Sequence, residues 1–180
     1  MARQGLCAVP HLPFDKADLR DLIQQLGFVQ IDSIRSVERA HHMILFARNQ
    51  NYQPEHLRQL LEEDRHLFEH WTHDASLIPT EFYPHWQQRF IRAEERLRER
   101  WRQQRPKTKS GGKTISFEDM MDQVKSHVDQ TGPTMSRDLK PKDSQRKKEK
   151  NGWWEWHPSK TALEFLWRTG DLSITRRDGF

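Results

Sequence analysis

The sequence has a single cysteine, Cys7, among its 180 residues. No intramolecular disulfide can form, and such usage fits a reducing, cytoplasmic compartment. There is no run approaching the ~18–20 apolar residues that a membrane span needs. The opening Met1-Ala-Arg-Gln-Gly-Leu6 has no long apolar core behind its arginine, so no secretory signal is expected. Apolar residues are scarce, at 34%, against 31% charged. Much of the chain must therefore be solvated surface or linker, and its length suits one large domain or two small ones.

What is abundant is positive charge, unevenly spread around a formal net of +4. Residues 102–114 hold five basic side chains (Arg102, Arg105, Lys107, Lys109, Lys113) and no acid. Residues 136–150 hold seven (Arg137, Lys140, Lys142, Arg146, Lys147, Lys148, Lys150) against Asp138, Asp143 and Glu149. The remainder of the chain is net acidic. Concentrated charge of this kind reads as phosphate-facing patches. For the first window a plain soluble tether is an equal reading, since Lys109-Ser-Gly-Gly-Lys113 has linker composition.

Leu19, Leu22, Ile23 and Leu26 follow helical spacing over 16–26, with Asp15 as N-cap and Gly27 as the residue beyond the C-terminus. Phe28 to Ile34 begins with the alternation of a short strand. A second helix is expected over 37–47 and a third from Pro54 to near Glu63. Strands over 66–71 and 75–78 should pair around Thr72-His73-Asp74. Two or three helices followed by a β-ribbon is the outline of a winged helix. A long charged helix follows, from about 81 to 103.

Beyond the basic tether, Met120, Met121, Val124 and Val128 stripe a helix over 117–128, and Thr134–Leu139 suggests a short second one. Pro158 opens a helix with Ala162, Leu163, Leu166 and Trp167 on its inner face, closed by Gly170. The final stretch reads as a strand carrying Leu172 and Ile174, then an Asp178-Gly179 hairpin turn. Only Phe180 follows that turn, so the second wing lacks its return strand and the chain reads as a fragment.

Gln30-Ile31-Asp32 is the triplet with chemical content. On a strand, Gln30 and Asp32 share one face while Val29 and Ile31 share the other. An adjacent amide and carboxylate can hold a water, the amide orienting it and the carboxylate accepting its proton. Alternation alone is weak evidence, because most half-buried strands show it.

The stretches Leu26–Ile34, Val37–His42, Glu69–Pro79, Gly152–Lys160 and Trp167–Leu172 with Arg176-Arg177 resemble the YcaQ/AlkZ family of winged-helix DNA glycosylases. The resemblance runs from about Leu22 to the end, broken by the two basic windows. It implies tandem winged helices that remove alkylated purines and unhook interstrand crosslinks, acting on double-stranded DNA. It implies Gln30 and Asp32 as the catalytic pair, matching the Asp-bearing form of the family's signature. It further implies monofunctional hydrolysis without metal or cofactor, an open cleft, and a cytoplasmic monomer associated with the nucleoid when bound. Family chains are longer than this one, which leaves a non-catalytic DNA-binding protein or an inactive remnant as rivals.

DNA contacts are expected from the basic loop (Arg137, Lys147, Lys148), from the outer side of the last helix (Lys160, Thr161, Glu164, Arg168) and from Arg176 and Arg177 at the wing. Binding of that origin weakens steeply with salt. Trp71 and His73 fall in a segment resembling the family's cleft, where holding DNA and simple packing are equal readings. Trp153, Trp154 and Trp156 read as anchors for the last helix rather than stacking platforms. His41-His42 reads as helix surface. His66, His70 and His73 do not form a His-Glu-x-x-His motif, and no metal site is expected. The whole is an α+β, mainly helical arrangement: 1–80 as the first winged helix, 81–114 as connecting helix and tether, and 115–180 as the second.

Overall fold

A computed structural model describes residues 4–7, 11–32, 34–104, 109–110, 113–114, 116–139 and 158–177. It is a mixed, largely helical structure with a small antiparallel sheet. Its contacts group into two compact units, Met1–Gln87 with Ser173–Phe180, and Gln88–Leu172.

In the first unit, α1 (Lys16–Leu26) starts where the sequence places its cap. Asp15 Oδ1 accepts the amides of Ala17 at 2.8 Å and Asp18 at 3.0 Å, while Asp18 Oδ2 accepts the Asp15 amide at 3.0 Å. This reciprocal box satisfies donors that a helix start leaves unpaired. At the other end Gly27 takes φ 86° and donates to Ile23 O. That left-handed geometry favours glycine.

The expected strand after Gly27 is cut to β1 (Val29–Gln30). Helix α2 spans Ala40–Phe46, three residues shorter at its start than expected. Residues 35–39 instead fold back, with an isolated bridge between Arg35 and Arg39. Helix α3 (Pro54–Arg58) passes into a π-helical turn over Gln59–Glu63, closed by Asp64 N–H donating to Gln59 O. The hairpin of β2 (Leu67–Trp71) and β3 (Ala75–Pro79) turns at 72–74 as predicted. β3 lies centrally in the order β1-β3-β2, with Val29 opposite Leu77 and Gln30 opposite Ser76. Leu19, Ile23, Val29, Ile31, Leu45, Tyr52, Leu57, Leu60, Leu67 and Leu77 form one core.

The last described residues rejoin this unit. Residues 173–177 show no strand, in place of the expected wing strand over Leu172 and Ile174. Arg65 Nη1 donates to Thr175 O at 2.9 Å, and Arg177 pairs with Glu69 on β2. The expected turn at Asp178-Gly179 lies outside the described residues.

The division between units falls within α4 (Tyr83–Gln104), which follows a 3-10 turn over Thr80–Phe82. The second unit holds a two-stranded pair of β4 (Lys109–Ser110) and β5 (Lys113–Thr114), inside the window read as a tether. Helices α5 (Phe117–Thr131) and α6 (Pro158–Arg168) pack together through Met121, Val124, Ala162, Phe165 and Leu166. The predicted inner face of α6 missed Phe165, which is buried, and overstated Leu163 and Trp167, which are half-buried. Over 136–139 there is a turn rather than a helix, with Asp138 Oδ2 accepting the Met135 amide at 2.9 Å. Gly170, at φ 81°, lies so close to Phe90 that a Cβ would sit 2.7 Å from its ring. Among the described residues no helix is long and apolar enough to cross a membrane.

Candidate functional site

The alternation predicted for Val29–Asp32 holds in burial even where the strand does not. Val29 and Ile31 are buried, and Gln30 and Asp32 are half-buried. Ile31 N–H still donates to Ala75 O at 2.8 Å, so the extended backbone persists one residue past β1. It stops at Asp32, whose Oδ1 accepts the Ile34 amide at 2.8 Å. This side chain-to-backbone bond offers the chain a turn in place of further sheet pairing. Asp32 is therefore fixed at the exit of the strand, with only Oδ1 hydrogen-bonded among the described residues.

Gln30 is held from the hairpin turn. His73 Nε2 lies 3.0 Å from Gln30 Oε1, His73 Nδ1 lies 3.2 Å from Thr72 Oγ1, and Thr72 Oγ1 lies 2.9 Å from Ser76 Oγ. The Gln30 carbonyl can only accept, so His73 Nε2–H donates to it, while the Thr72 and Ser76 hydroxyls also reach Asp74 O at 3.3 and 3.1 Å. Phe28 packs against the His73 ring edge-on, with centroids 5.8 Å apart. With its carbonyl engaged, Gln30 presents amide hydrogens as its remaining polar function. Those are donors suited to the oxygen of a water.

His41, read from sequence as helix surface, is 4% exposed. Its Nδ1 accepts the Asp32 backbone N–H at 3.4 Å, which requires that nitrogen to be bare. Burial pushes His41 down from 6.5 to about 4, helped by the neighbouring His42 and Arg39. Burial also lowers His42, whose Nδ1 lies 2.7 Å from the buried Tyr52 hydroxyl. The Tyr52 phenol is pushed upward by burial, so it stays protonated beside His42. The sequence did carry a signal for His41: it lies four residues before Leu45, which is fully buried on the same helix face.

A depressed folded pKa makes His41 a source of acid sensitivity. The unfolded imidazole takes a proton below about 6.5, while the folded one resists until about 4. Its share of stability is complete above pH 6.5 and is lost as the pH falls toward 4, by about 2 kcal/mol at pH 5. His41→Gln is expected to flatten the dependence of melting temperature on pH between 7 and 5. An unchanged slope would exclude His41 as the cause.

The other expected site residues are dispersed. Trp71 closes β2 beside the turn that carries His73. His70 is buried and its Nδ1 accepts the Trp86 indole N–H at 3.1 Å. Among the described residues no three His, Cys, Asp or Glu side chains are grouped to hold a metal. In the second unit Lys160 is exposed on α6. Arg168 pairs with Glu164 at 2.9 Å and stacks over Trp167. Arg137 is exposed beside Asp138, and Arg176 is exposed ahead of Arg177. Arg177 does not stand on a wing tip: its guanidinium grips the buried Glu69 carboxylate through two nitrogens, one bond at 2.7 Å. Lys147, Lys148, Trp153, Trp154 and Trp156 lie outside the described residues.

The matching family model is that of the AlkZ-like DNA glycosylases, over residues 23–180, and the chain belongs to this family. No solved structure matches it.

Proposed function

We propose that this chain is a monofunctional DNA glycosylase that hydrolyses the N-glycosidic bond of alkylated purines and unhooks interstrand crosslinks. The observation that carries the reading is the held pair at the end of β1: Gln30 with its carbonyl capped by His73, and Asp32 fixed by the Ile34 amide. A purine alkylated at N7 carries positive charge and departs as a neutral base, taking the bonding electrons of the N-glycosidic bond. The sugar left behind is oxocarbenium-like. Asp32 stabilises that charge and accepts a proton from the water that attacks the anomeric carbon, while Gln30 orients the water oxygen. The product is an abasic site, and Asp32 releases its proton to solvent.

The order α1-β1-α2-α3-β2-β3 with sheet order β1-β3-β2 supports a winged helix for the first unit, with the 72–74 turn at the tip of its wing. The shared core of α5 and α6 supports a second helical unit of that kind. A base tied to the opposite strand cannot swing fully into a closed pocket, so an open site suits crosslinked substrates.

Incubation with duplex DNA containing N7-methylguanine, or a nitrogen-mustard crosslink, followed by alkali, tests the reading. Alkali-labile breaks and unhooked strands are expected. A chain that retards the duplex in a gel but generates no alkali-labile sites is a binding protein instead.

A further inference from the structure

We propose that the loop leaving Asp32 is a wedge that enters the base stack of duplex DNA, with Ile34 and Val37 as its apolar points. Ile34 is 71% exposed and Val37 85%, the two most exposed large apolar side chains among the described residues. Single exposed apolar residues are ordinary. Here two stand three residues apart, within a run of four exposed positions, directly after the carboxylate assigned to the chemistry.

The loop is built to hold its points out. Asp32 Oδ1 fixes the Ile34 amide, Arg35 and Arg39 bridge across its base, and Arg35 pairs with Glu38 at 3.2 Å. Glu38 in turn accepts the Arg39 amide at 2.8 Å. Both apolar residues are β-branched and stiff at χ1, so little rotamer freedom is lost when they are buried between bases. Residues 34–39 carry two arginines against one glutamate, a balance that favours a phosphate backbone over an acidic partner. Apolar side chains inserted at a base step partly unstack it and kink the duplex. Next to Asp32, that distortion exposes the glycosidic bond without full extrusion of the base.

The inference rests on the reading of the chain as an enzyme of duplex DNA, and its test separates the two. The full chain and an Ile34→Ser/Val37→Ser variant are mixed with a duplex carrying 2-aminopurine beside a tetrahydrofuran abasic-site analogue. Fluorescence reports unstacking without any hydrolysis. The parent chain is expected to raise emission about threefold or more at saturation, and the variant to lose most of that gain while still retarding the duplex. On N7-methylguanine substrates, the variant is expected to be about tenfold slower with duplex and unchanged with single strands, which need no unstacking.

Full fluorescence gain by the variant, or none by the saturating parent chain, overturns the wedge. So does self-association in sedimentation that only the parent chain shows, with unstacking unchanged, since the loop would then meet a second copy. Absence of alkali-labile sites with every substrate sinks the glycosylase reading alone, because the fluorescence arm still decides the wedge.

Discussion

Asp32→Asn is expected to lower depurination of N7-methylguanine DNA by about 10³-fold, roughly 4 kcal/mol of barrier, while duplex binding stays intact. The substitution keeps an oxygen able to accept the Ile34 amide, so the turn at the exit of β1 survives. On the proposed mechanism, what it removes is the negative charge beside the developing oxocarbenium and the acceptor for the water's proton. Gel retardation and a single-turnover alkali assay on the same preparation check both halves. Equal turnover by the Asn variant would remove Asp32 from the mechanism. Equal loss of binding and activity would make it structural.

A comparably large effect, on stability, is expected from Arg177→Ala. Glu69 is 2% exposed, and Arg177 reaches it with two guanidinium nitrogens from 108 positions along the chain. Removing Arg177 takes two charge-assisted hydrogen bonds from a buried carboxylate, at a cost of about 3 kcal/mol, the lower end of the range because Arg177 is itself partly solvated. For a chain of this length that is about 6–12 °C in melting temperature. Adding Glu69→Gln to Arg177→Ala is expected to recover most of the loss, since a neutral amide needs no counter-ion. Thermal melts of the three variants decide it: an Arg177→Ala chain that melts with the parent has no such dependence on the pair.

Local features of this molecule are legible in its sequence because their causes are local. Asp15 and Gly27 bracket α1, Pro54 opens α3, and the polar triplet at 72–74 separates two strands. The alternation of Val29 and Ile31 against Gln30 and Asp32 survives into burial. What sequence patterns miss depends on competition or distance. Strand β1 ends early because the Asp32 side chain captures a backbone amide that periodicity assigns to the sheet. The polar partner of Gln30 comes from a turn 43 positions away, so the sequence carries no sign that His73 lies against Gln30. His41 reads as surface because a histidine in a short helix carries no mark of burial until Leu45 beside it is known to be core. The pairing of Arg177 with Glu69 is likewise invisible in the sequence, because a charge there shows no partner.

The return of residues 173–177 to the first unit also orders events during synthesis. Chains emerge from the ribosome N-terminus first, and early segments begin to fold as they emerge. Here β2 is made long before Arg177, so the Glu69 carboxylate gains this partner only after about another hundred residues are translated. Closing so long a loop carries an entropic cost and slows the final step. The first unit to be made is therefore the last to be finished, and a nascent chain stalled before residue 177 carries that unit without its Arg177–Glu69 pair.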